Sequence, residues 1–265
     1  MLGICRALKH MVEGQGPEDG EKFVGYHFDL KPANILIFGV HTWQIADFGQ
    51  SVFRAKTGSS MKLTNPGGTD EYAPPENADT DPEAKASSRY DVWSMGCILL
   101  ELIAFLAMKG RPGIDELDSA RDTSDEQRGD HRLWTKTSSG DIQLKPKIIV
   151  FMNELLKKSG PSERQFVGRI LELTKRMLEP DVDKRFSASQ VVETLKSIIE
   201  TPQVPPDDEE SLQSRGNATA LAGSLQNVSH CELDIHDLSE RRYTSHRTSL
   251  VTQLMELQVL SFRLA

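Results

Sequence analysis

Apolar side chains near the N-terminus recur at the spacing of a helix. Cys5, Leu8, Met11 and Val12 fall on one side of a helix drawn through residues 2–13. The stretch that follows is polar and rich in glycine, which ends the pattern. The sequence therefore predicts one short amphipathic helix at the start of the chain.

Two more amphipathic helices are predicted in the second half of the chain. Each follows a tetrapeptide that matches the capping-box pattern, at residues 162–165 and at residues 187–190. The apolar positions at helical spacing are Phe166, Val167, Ile170, Leu171, Thr174, Met177 and Leu178 in the first helix, and Val191, Val192, Leu195, Ile198 and Ile199 in the second. We expect these helices to complete a helical domain near residue 200.

A nearly continuous apolar run covers residues 90–106. It contains Ser94 and Glu101, begins beside Asp91, and does not exceed the length of about 18 apolar residues that a membrane span requires. A helix that is apolar on nearly every side is buried in a protein core. We therefore expect a central core helix and no membrane span.

Two short apolar runs predict a pair of strands. Residues 35–38 and 43–46 flank the tetrapeptide Gly-Val-His-Thr at residues 39–42, which is a hairpin signature. The predicted fold class is therefore mainly α with a small β-hairpin.

Composition and charge narrow the class of protein. The 265 residues have a net charge of −8, and the three cysteines, Cys5, Cys97 and Cys231, are far apart. Their spacing matches neither a disulfide framework nor a zinc site, and the N-terminus shows no long apolar signal segment. We expect an intracellular protein, cytoplasmic or nuclear. The acidic balance argues against nucleic acid as a partner.

The first strand of the hairpin is preceded by residues that can carry out phosphoryl transfer. Asp29 stands five residues before Asn34, and Asp47 lies eighteen residues after Asp29. A carboxylate of this kind can accept a proton from a hydroxyl nucleophile, and the other two side chains offer the oxygen ligands that Mg²⁺ prefers. These groups can hold an alcohol and two Mg²⁺ ions around a triphosphate.

The order of these residues resembles a known family. His-x-Asp-Leu-Lys-Pro-x-Asn at residues 27–34, followed by Asp-Phe-Gly at residues 47–49, resembles the catalytic and metal-binding loops of eukaryotic protein kinases. The resemblance implies that Asp29 orients and deprotonates the substrate hydroxyl and that Lys31 neutralises charge on the phosphoryl group. Asn34 and Asp47 would hold Mg²⁺. It also implies ATP as cofactor and a protein as substrate.

Details of these loops point to serine and threonine as acceptors. Lys31, two residues after Asp29, is typical of the Ser/Thr-directed members of the family. Thr69, after Gly68, matches the threonine that contacts this Asp and Lys in such kinases. Phe28 departs from the pattern, because it occupies the place where many kinases have an arginine that grips a phosphate on the activation segment.

The resemblance continues into structural positions. Residues 68–76 are similar to the end of a kinase activation segment, although Pro74 replaces the usual alanine of Ala-Pro-Glu. In the family the glutamate, here Glu76, pairs with a buried arginine, here Arg185. Asp91, at the start of the apolar run, matches the aspartate that hydrogen-bonds the backbone of the catalytic loop.

The resemblance covers residues 1–200 and only the larger, C-terminal lobe. No glycine-rich loop, strand lysine or helix glutamate precedes Asp29, so the N-terminal lobe is expected to be absent. Polar insertions are expected near 14–24 and 109–147. Residues 201–265 would form a linker and a mostly disordered tail, in which residues 250–262 could form one helix.

Three functions remain open at this point. The first is a protein serine/threonine kinase, of which this chain is a truncated form or a fragment. The second is a non-catalytic, pseudokinase-like interaction module, whose missing lobe or regulatory partner is unknown. The third is a truncated product without function.

Overall fold

A computed structural model describes residues 1–14, 22–38, 42–55, 68–78, 87–122 and 130–200. These residues form six α-helices and six short strands. The elements are α1 (Leu2–Glu13), β1 (Phe23–Tyr26), β2 (Ile35–Phe38), β3 (Thr42–Ile45), β4 (Val52–Ala55), α2 (Tyr90–Ala107), α3 (Arg111–Arg121), β5 (Trp134–Lys136), β6 (Ile142–Leu144), α4 (Pro146–Lys158), α5 (Pro161–Met177) and α6 (Ala188–Glu200). The prediction of a mainly helical fold with little strand is confirmed.

The strands form three antiparallel pairs. The predicted hairpin is present as β2 and β3, in which Ile35 faces Ile45 and Phe38 faces Thr42. The turn predicted between them falls mostly on residues 39–41, outside the described residues. The pairs β1–β4 and β5–β6 were not predicted.

Helix α2 is the centre of the core. The side chains of Trp93, Met95 and Cys97 are completely buried, as are most others along the helix. By length and composition α2 could cross a membrane, but 89% of its apolar window is buried inside the protein. The prediction of a core helix is confirmed.

The other helices pack around α2. Helices α3 and α5 contact it directly, α4 lies against α3 and α5, and α1 packs on α6 and β1. The crossing of α2 and α3 requires a glycine at residue 113, because a Cβ atom there would lie 2.0 Å from the carbonyl oxygen of Ala104. Any larger residue would push the two helices apart.

One of the two predicted capping boxes is present. At the start of α6 the Ser187 N–H donates to Oε1 of Gln190 at 2.9 Å, and the Gln190 N–H donates to Oγ of Ser187 at 3.3 Å. The prediction for α5 was wrong, because that helix begins at Pro161 with Gly160 as its N-cap residue. Proline is well suited to the first helical position, where its missing N–H costs no hydrogen bond.

The regions expected to be insertions are only partly described. The later one, residues 109–147, contains α3, the strands β5 and β6, and the start of α4. Residues 15–21 of the earlier one, and the whole of residues 201–265 with the helix predicted at 250–262, lie outside the described residues.

Candidate active site

The loop after β1 places Asp29 by means of a buried carboxylate from α2. Oδ2 of Asp91 accepts a hydrogen bond from the His27 N–H at 2.8 Å, and Oδ1 accepts one from the Phe28 N–H at 2.9 Å. Phe28 has a φ of 63°, a left-handed conformation that a bulky residue adopts only when its surroundings enforce it. Burial raises the pKa of Asp91, whereas the two N–H groups act in the opposite direction.

The Asp29 carboxylate accepts hydrogen bonds from three side chains, of which Asn34 is the most distant, with its Nδ2 lying 3.3 Å from Oδ2. Nζ of Lys31 lies 2.7 Å from Oδ2, and the hydroxyl of Thr69 donates to Oδ1 at 2.9 Å. Lys31 also donates to the Thr69 hydroxyl oxygen at 3.0 Å. Asp29, Lys31 and Thr69 therefore form a closed triangle of hydrogen bonds, although Thr69 is forty residues distant in sequence.

Asn34 and Asp47 are held by the β2–β3 hairpin. Asn34 precedes β2, and its carbonyl oxygen accepts a hydrogen bond from the Ala46 N–H at 2.9 Å. This bond places Asp47 just beyond the pair, as the sequence predicted. Nδ2 of Asn34 donates to the Asp29 carbonyl oxygen at 2.8 Å. The amide oxygen of Asn34 is thus the atom left to bind a cation.

His27 connects this hairpin to the loop that carries Asp29, and Asp47 follows directly after the hairpin. Asp47 has a φ of 60°, and its Oδ1 accepts from the Gly49 N–H at 3.3 Å. The buried His27 ring donates from Nε2 to the carbonyl oxygen of Ala46 at 3.0 Å, while the Asp29 N–H donates to Nδ1 at 3.4 Å. This arrangement assigns the neutral tautomer with the proton on Nε2. The sequence analysis gave His27 no role.

Glu76 and Arg185 form an ion pair with two parallel hydrogen bonds. The two guanidinium nitrogens lie 2.7 and 2.8 Å from the two carboxylate oxygens. The Arg185 side chain is completely buried, and 22% of the Glu76 side chain is exposed. Arg185 also lies over the ring of Trp93 at 5.1 Å. The pair ties the segment after Thr69 to the loop between α5 and α6.

Comparison with known proteins gives the family. Residues 2–195 match the family described as protein kinase domain. The chain belongs to the protein kinase family. The loop with Asp29, Lys31 and Asn34 and the Asp-Phe-Gly at residues 47–49 both lie within the matched residues.

Several curated kinases are similar to parts of this chain. The receptor-like protein kinase of Ipomoea nil is 33% identical over 171 residues, which are 64% of this chain and 14% of that protein. The serine/threonine-protein kinase CDG1 of Arabidopsis thaliana is 30% identical over 172 residues, 65% of this chain and 36% of that protein. The human receptor-interacting serine/threonine-protein kinase 3 is 36% identical over 101 residues, 38% of this chain and 19% of that protein. The chain spans well under half the length of these relatives.

In this kinase chain the segment after Thr69 has further anchors that the sequence analysis missed. The Ser94 hydroxyl donates to the carbonyl oxygen of Tyr72 at 2.8 Å, and the Tyr72 hydroxyl donates to Glu101 at 2.9 Å. The indole N–H of Trp134, in β5, donates to the carbonyl oxygen of Ala73 at 3.2 Å. These contacts from helix α2 and strand β5 fix the backbone of the segment that follows Thr69.

The position of Glu101 in the apolar run could have predicted a buried ion pair from the sequence. A carboxylate in an otherwise apolar buried helix needs a partner, because an unpaired buried charge is very costly. The partner is Arg121 at the end of α3, whose guanidinium lies 2.7 Å from Oε1 of Glu101. No sequence motif marks Arg121, which lies in the region expected from the sequence to be a polar insertion.

Phe28 is part of an aromatic cluster in this kinase chain. Its buried ring stacks on Tyr26 at a centroid distance of 5.3 Å and meets the edge of Tyr90 at 4.9 Å. The Tyr90 hydroxyl donates to Oδ1 of Asn77 at 3.1 Å. Gly68 packs so closely that a Cβ there would lie 2.7 Å from the Phe28 carbonyl oxygen. Ring packing therefore holds the Phe28 side chain in the interior.

Proposed function

We propose that this chain supplies the catalytic and metal-binding lobe of a protein serine/threonine kinase. The reaction transfers the γ-phosphoryl group of ATP to a protein hydroxyl. The observation that supports this proposal is the Asp29 carboxylate, oriented by Lys31 and Thr69 and carried on a loop fixed by Asp91. We further propose an intracellular protein, cytoplasmic or nuclear, whose partners include neither nucleic acid nor a membrane.

The roles of the residues follow from their positions. Asp29 accepts the hydroxyl proton while the substrate oxygen forms its bond to the γ-phosphorus and the bond to the β-phosphate oxygen breaks, which leaves ADP. The Lys31 ammonium, 2.7 Å from Asp29, would offset part of the negative charge on the transferred group. Thr69 holds both side chains in register.

The oxygen donors fit Mg²⁺. The amide oxygen of Asn34 and the carboxylate of Asp47 are hard ligands, and Mg²⁺ is commonly held by one or two protein oxygens together with substrate phosphates. Within the described residues no three His, Cys, Asp or Glu side chains cluster as a metal cage, and this mode of binding needs none. When bound, the ion neutralises charge on the phosphates.

A non-catalytic interaction module is the second candidate. The observation that favours it lies ahead of Asp29, where the described residues form only α1 and β1. Neither element offers a glycine-rich loop or a strand lysine for the phosphates of ATP. In that case the oriented loops would serve to bind a partner protein.

We expect the 265-residue polypeptide on its own to show no measurable phosphotransfer. The described elements ahead of Asp29 cannot hold adenine and the α- and β-phosphates. With a kinase N-terminal lobe fused ahead of residue 1, labelled phosphate should enter a general protein substrate on serine and threonine. The measurement is incorporation of labelled phosphate followed by phosphoamino-acid analysis.

Two outcomes would contradict parts of this proposal. Robust incorporation by the 265-residue chain alone would show that it does not need a covering lobe. If the fusion protein folds and binds ATP but transfers no phosphate to the protein substrate, the proposed kinase activity is excluded and the interaction module is favoured.

We also expect phosphorylation of the activation segment to change the rate little. The hydroxyls in question, Thr57, Ser59, Ser60 and Thr64, lie outside the described residues. A phosphate there cannot form a charge-assisted pair with residue 28, because Phe28 has no guanidinium and its ring is packed between Tyr26 and Tyr90. The protein to be measured is the fusion with a kinase N-terminal lobe ahead of residue 1, called here the lobe-complemented kinase. Its phosphotransfer rate is to be compared before and after phosphatase treatment.

The competing possibility is that Arg54 or Lys56 replaces the missing arginine. A drop of about a hundredfold or more on dephosphorylation, abolished by alanine at the four hydroxyl positions, would refute the expectation. Repeating the measurement with Arg54→Gln and with Lys56→Gln would then identify the substitute.

A further inference from the structure

A cavity between α5 and α6 has no part in the proposed reaction. Its volume is about 270 Å³, and none of the residues that line it belongs to the catalytic loop or to the Asp-Phe-Gly motif. Leu173 and Ile198, both nearly completely buried, and Phe186 give it an apolar lining. The cavity can accept an apolar side chain.

Two arginines give the cavity a positive edge. Arg169 donates from its guanidinium to the carbonyl oxygen of Ser197 at 3.1 Å, which fixes it at the cavity wall. The Arg176 guanidinium lies over the Phe186 ring at 5.9 Å and 3.7 Å from the exposed carboxylate of Glu172. Two positive charges and one negative charge therefore line the cavity, and its excess charge is positive.

The chain itself continues from the wall of this cavity. Thr194, Ser197 and Ile198 belong to α6, which ends at Glu200. Seven residues later the sequence reads Asp-Asp-Glu-Glu at residues 207–210, its longest run of consecutive acidic residues, and Leu212 follows. Seven extended residues reach at most about 25 Å, which is sufficient to return along the four turns of α6.

The sequence between α6 and the acidic run disfavours a continuation of the helix, so that the chain can turn back towards the cavity. Prolines at residues 202, 205 and 206 lack the N–H that a helix interior needs and favour extended backbone. A connection of this length would keep the acidic run near the cavity at an effective concentration of about millimolar. A separate protein would have to compete with it.

We propose that residues 207–212 of this chain dock on the cavity between α5 and α6. The carboxylates of residues 207–210 lie against Arg169 and Arg176, and the Leu212 side chain enters the apolar lining formed by Leu173, Phe186 and Ile198. The segment thereby becomes a fixed part of the C-terminal lobe, and this docking is independent of phosphotransfer.

Disulfide trapping in the full-length chain tests this contact. One variant combines Thr194→Cys, on the cavity wall, with Leu212→Cys. Its matched control combines Leu212→Cys with Glu193→Cys, the exposed neighbour of residue 194 on the same helix, which does not line the cavity. Cys231→Ser is included in both. Cys5 and Cys97 can stay, because burial raises the pKa of their thiols to about 11 and about 12 and leaves them unreactive.

Under mild oxidation the cavity pair should form its intramolecular disulfide at least tenfold faster than the control pair, since a disulfide requires the two Cα atoms within about 7 Å. Replacing the four acidic residues by Asn and Gln, or Arg169 and Arg176 by Gln, should remove the difference. Equal rates for the two pairs would overturn the proposal. Disulfide-linked dimers that grow with protein concentration would instead assign the cavity to a second copy of the chain.

Discussion

Replacing Glu76 by alanine is expected to lower the free energy of unfolding by about 3 to 5 kcal/mol. The Arg185 guanidinium is completely buried and would lose the one carboxylate that it contacts within the described residues. Its remaining acceptors are the carbonyl oxygens of Glu179, Arg89 and Pro180, at 2.9, 3.1 and 3.4 Å. They satisfy donors but leave the charge uncompensated, so the cost is that of an unpaired buried ion.

A loss of this size is a large share of the total stability of a domain, which is about 5 to 15 kcal/mol. Chemical denaturation of the Glu76→Ala variant should show a much earlier midpoint, or the variant should fail to accumulate as soluble protein. Glu154→Ala is the control, because Glu154 forms an exposed pair with Lys157 at 2.8 Å and its removal should shift nothing measurable. An unchanged midpoint for Glu76→Ala would mean that the pair is solvated and contributes little.

The sequence predicted those parts of the fold that depend on local patterns. Helix α2 followed from its apolar run, and the β2–β3 hairpin followed from two apolar segments around a short turn. The pairing of β1 with β4 could not be predicted in this way. It joins Phe23 to Ala55 across thirty-two residues, and four-residue strands carry too little periodicity to identify a distant partner.

The residues of the candidate site likewise fall into those that a local sequence pattern identifies and those that only the structure shows. Asp29, Lys31, Asn34 and Asp47 were found because their order is a motif, and the hairpin explains why Asn34 and Asp47 lie at the same end of the strand pair. The residues that fix the segment after Thr69 have no such order. Trp134 reaches Ala73 from a three-residue strand that carries no recognisable pattern, so only the three-dimensional structure shows the contact.

Replacing Asp29 by asparagine is expected to reduce kcat of the lobe-complemented kinase by about a thousandfold, within the range of about 10² to 10⁴ for loss of a general base. The hydrogen-bond triangle should survive. The new amide oxygen can face Lys31, which only donates, and the amide nitrogen can face the Thr69 hydroxyl, which can turn to accept. The change therefore removes proton acceptance while it leaves the loop in place.

Steady-state kinetics separates this effect from a loss of substrate binding. Because the interaction with Asp29 develops as the hydroxyl proton is transferred, KM for the protein substrate should stay within a few fold while kcat falls. Asp70→Asn is the matched control, since Asp70 is exposed, follows Thr69 directly and has no place in the triangle. A decrease of less than about tenfold for Asp29→Asn would show that Asp29 is not the base. Catalysis would then rest on positioning and charge alone, supplied by Lys31 and by the proposed metal ligands Asn34 and Asp47.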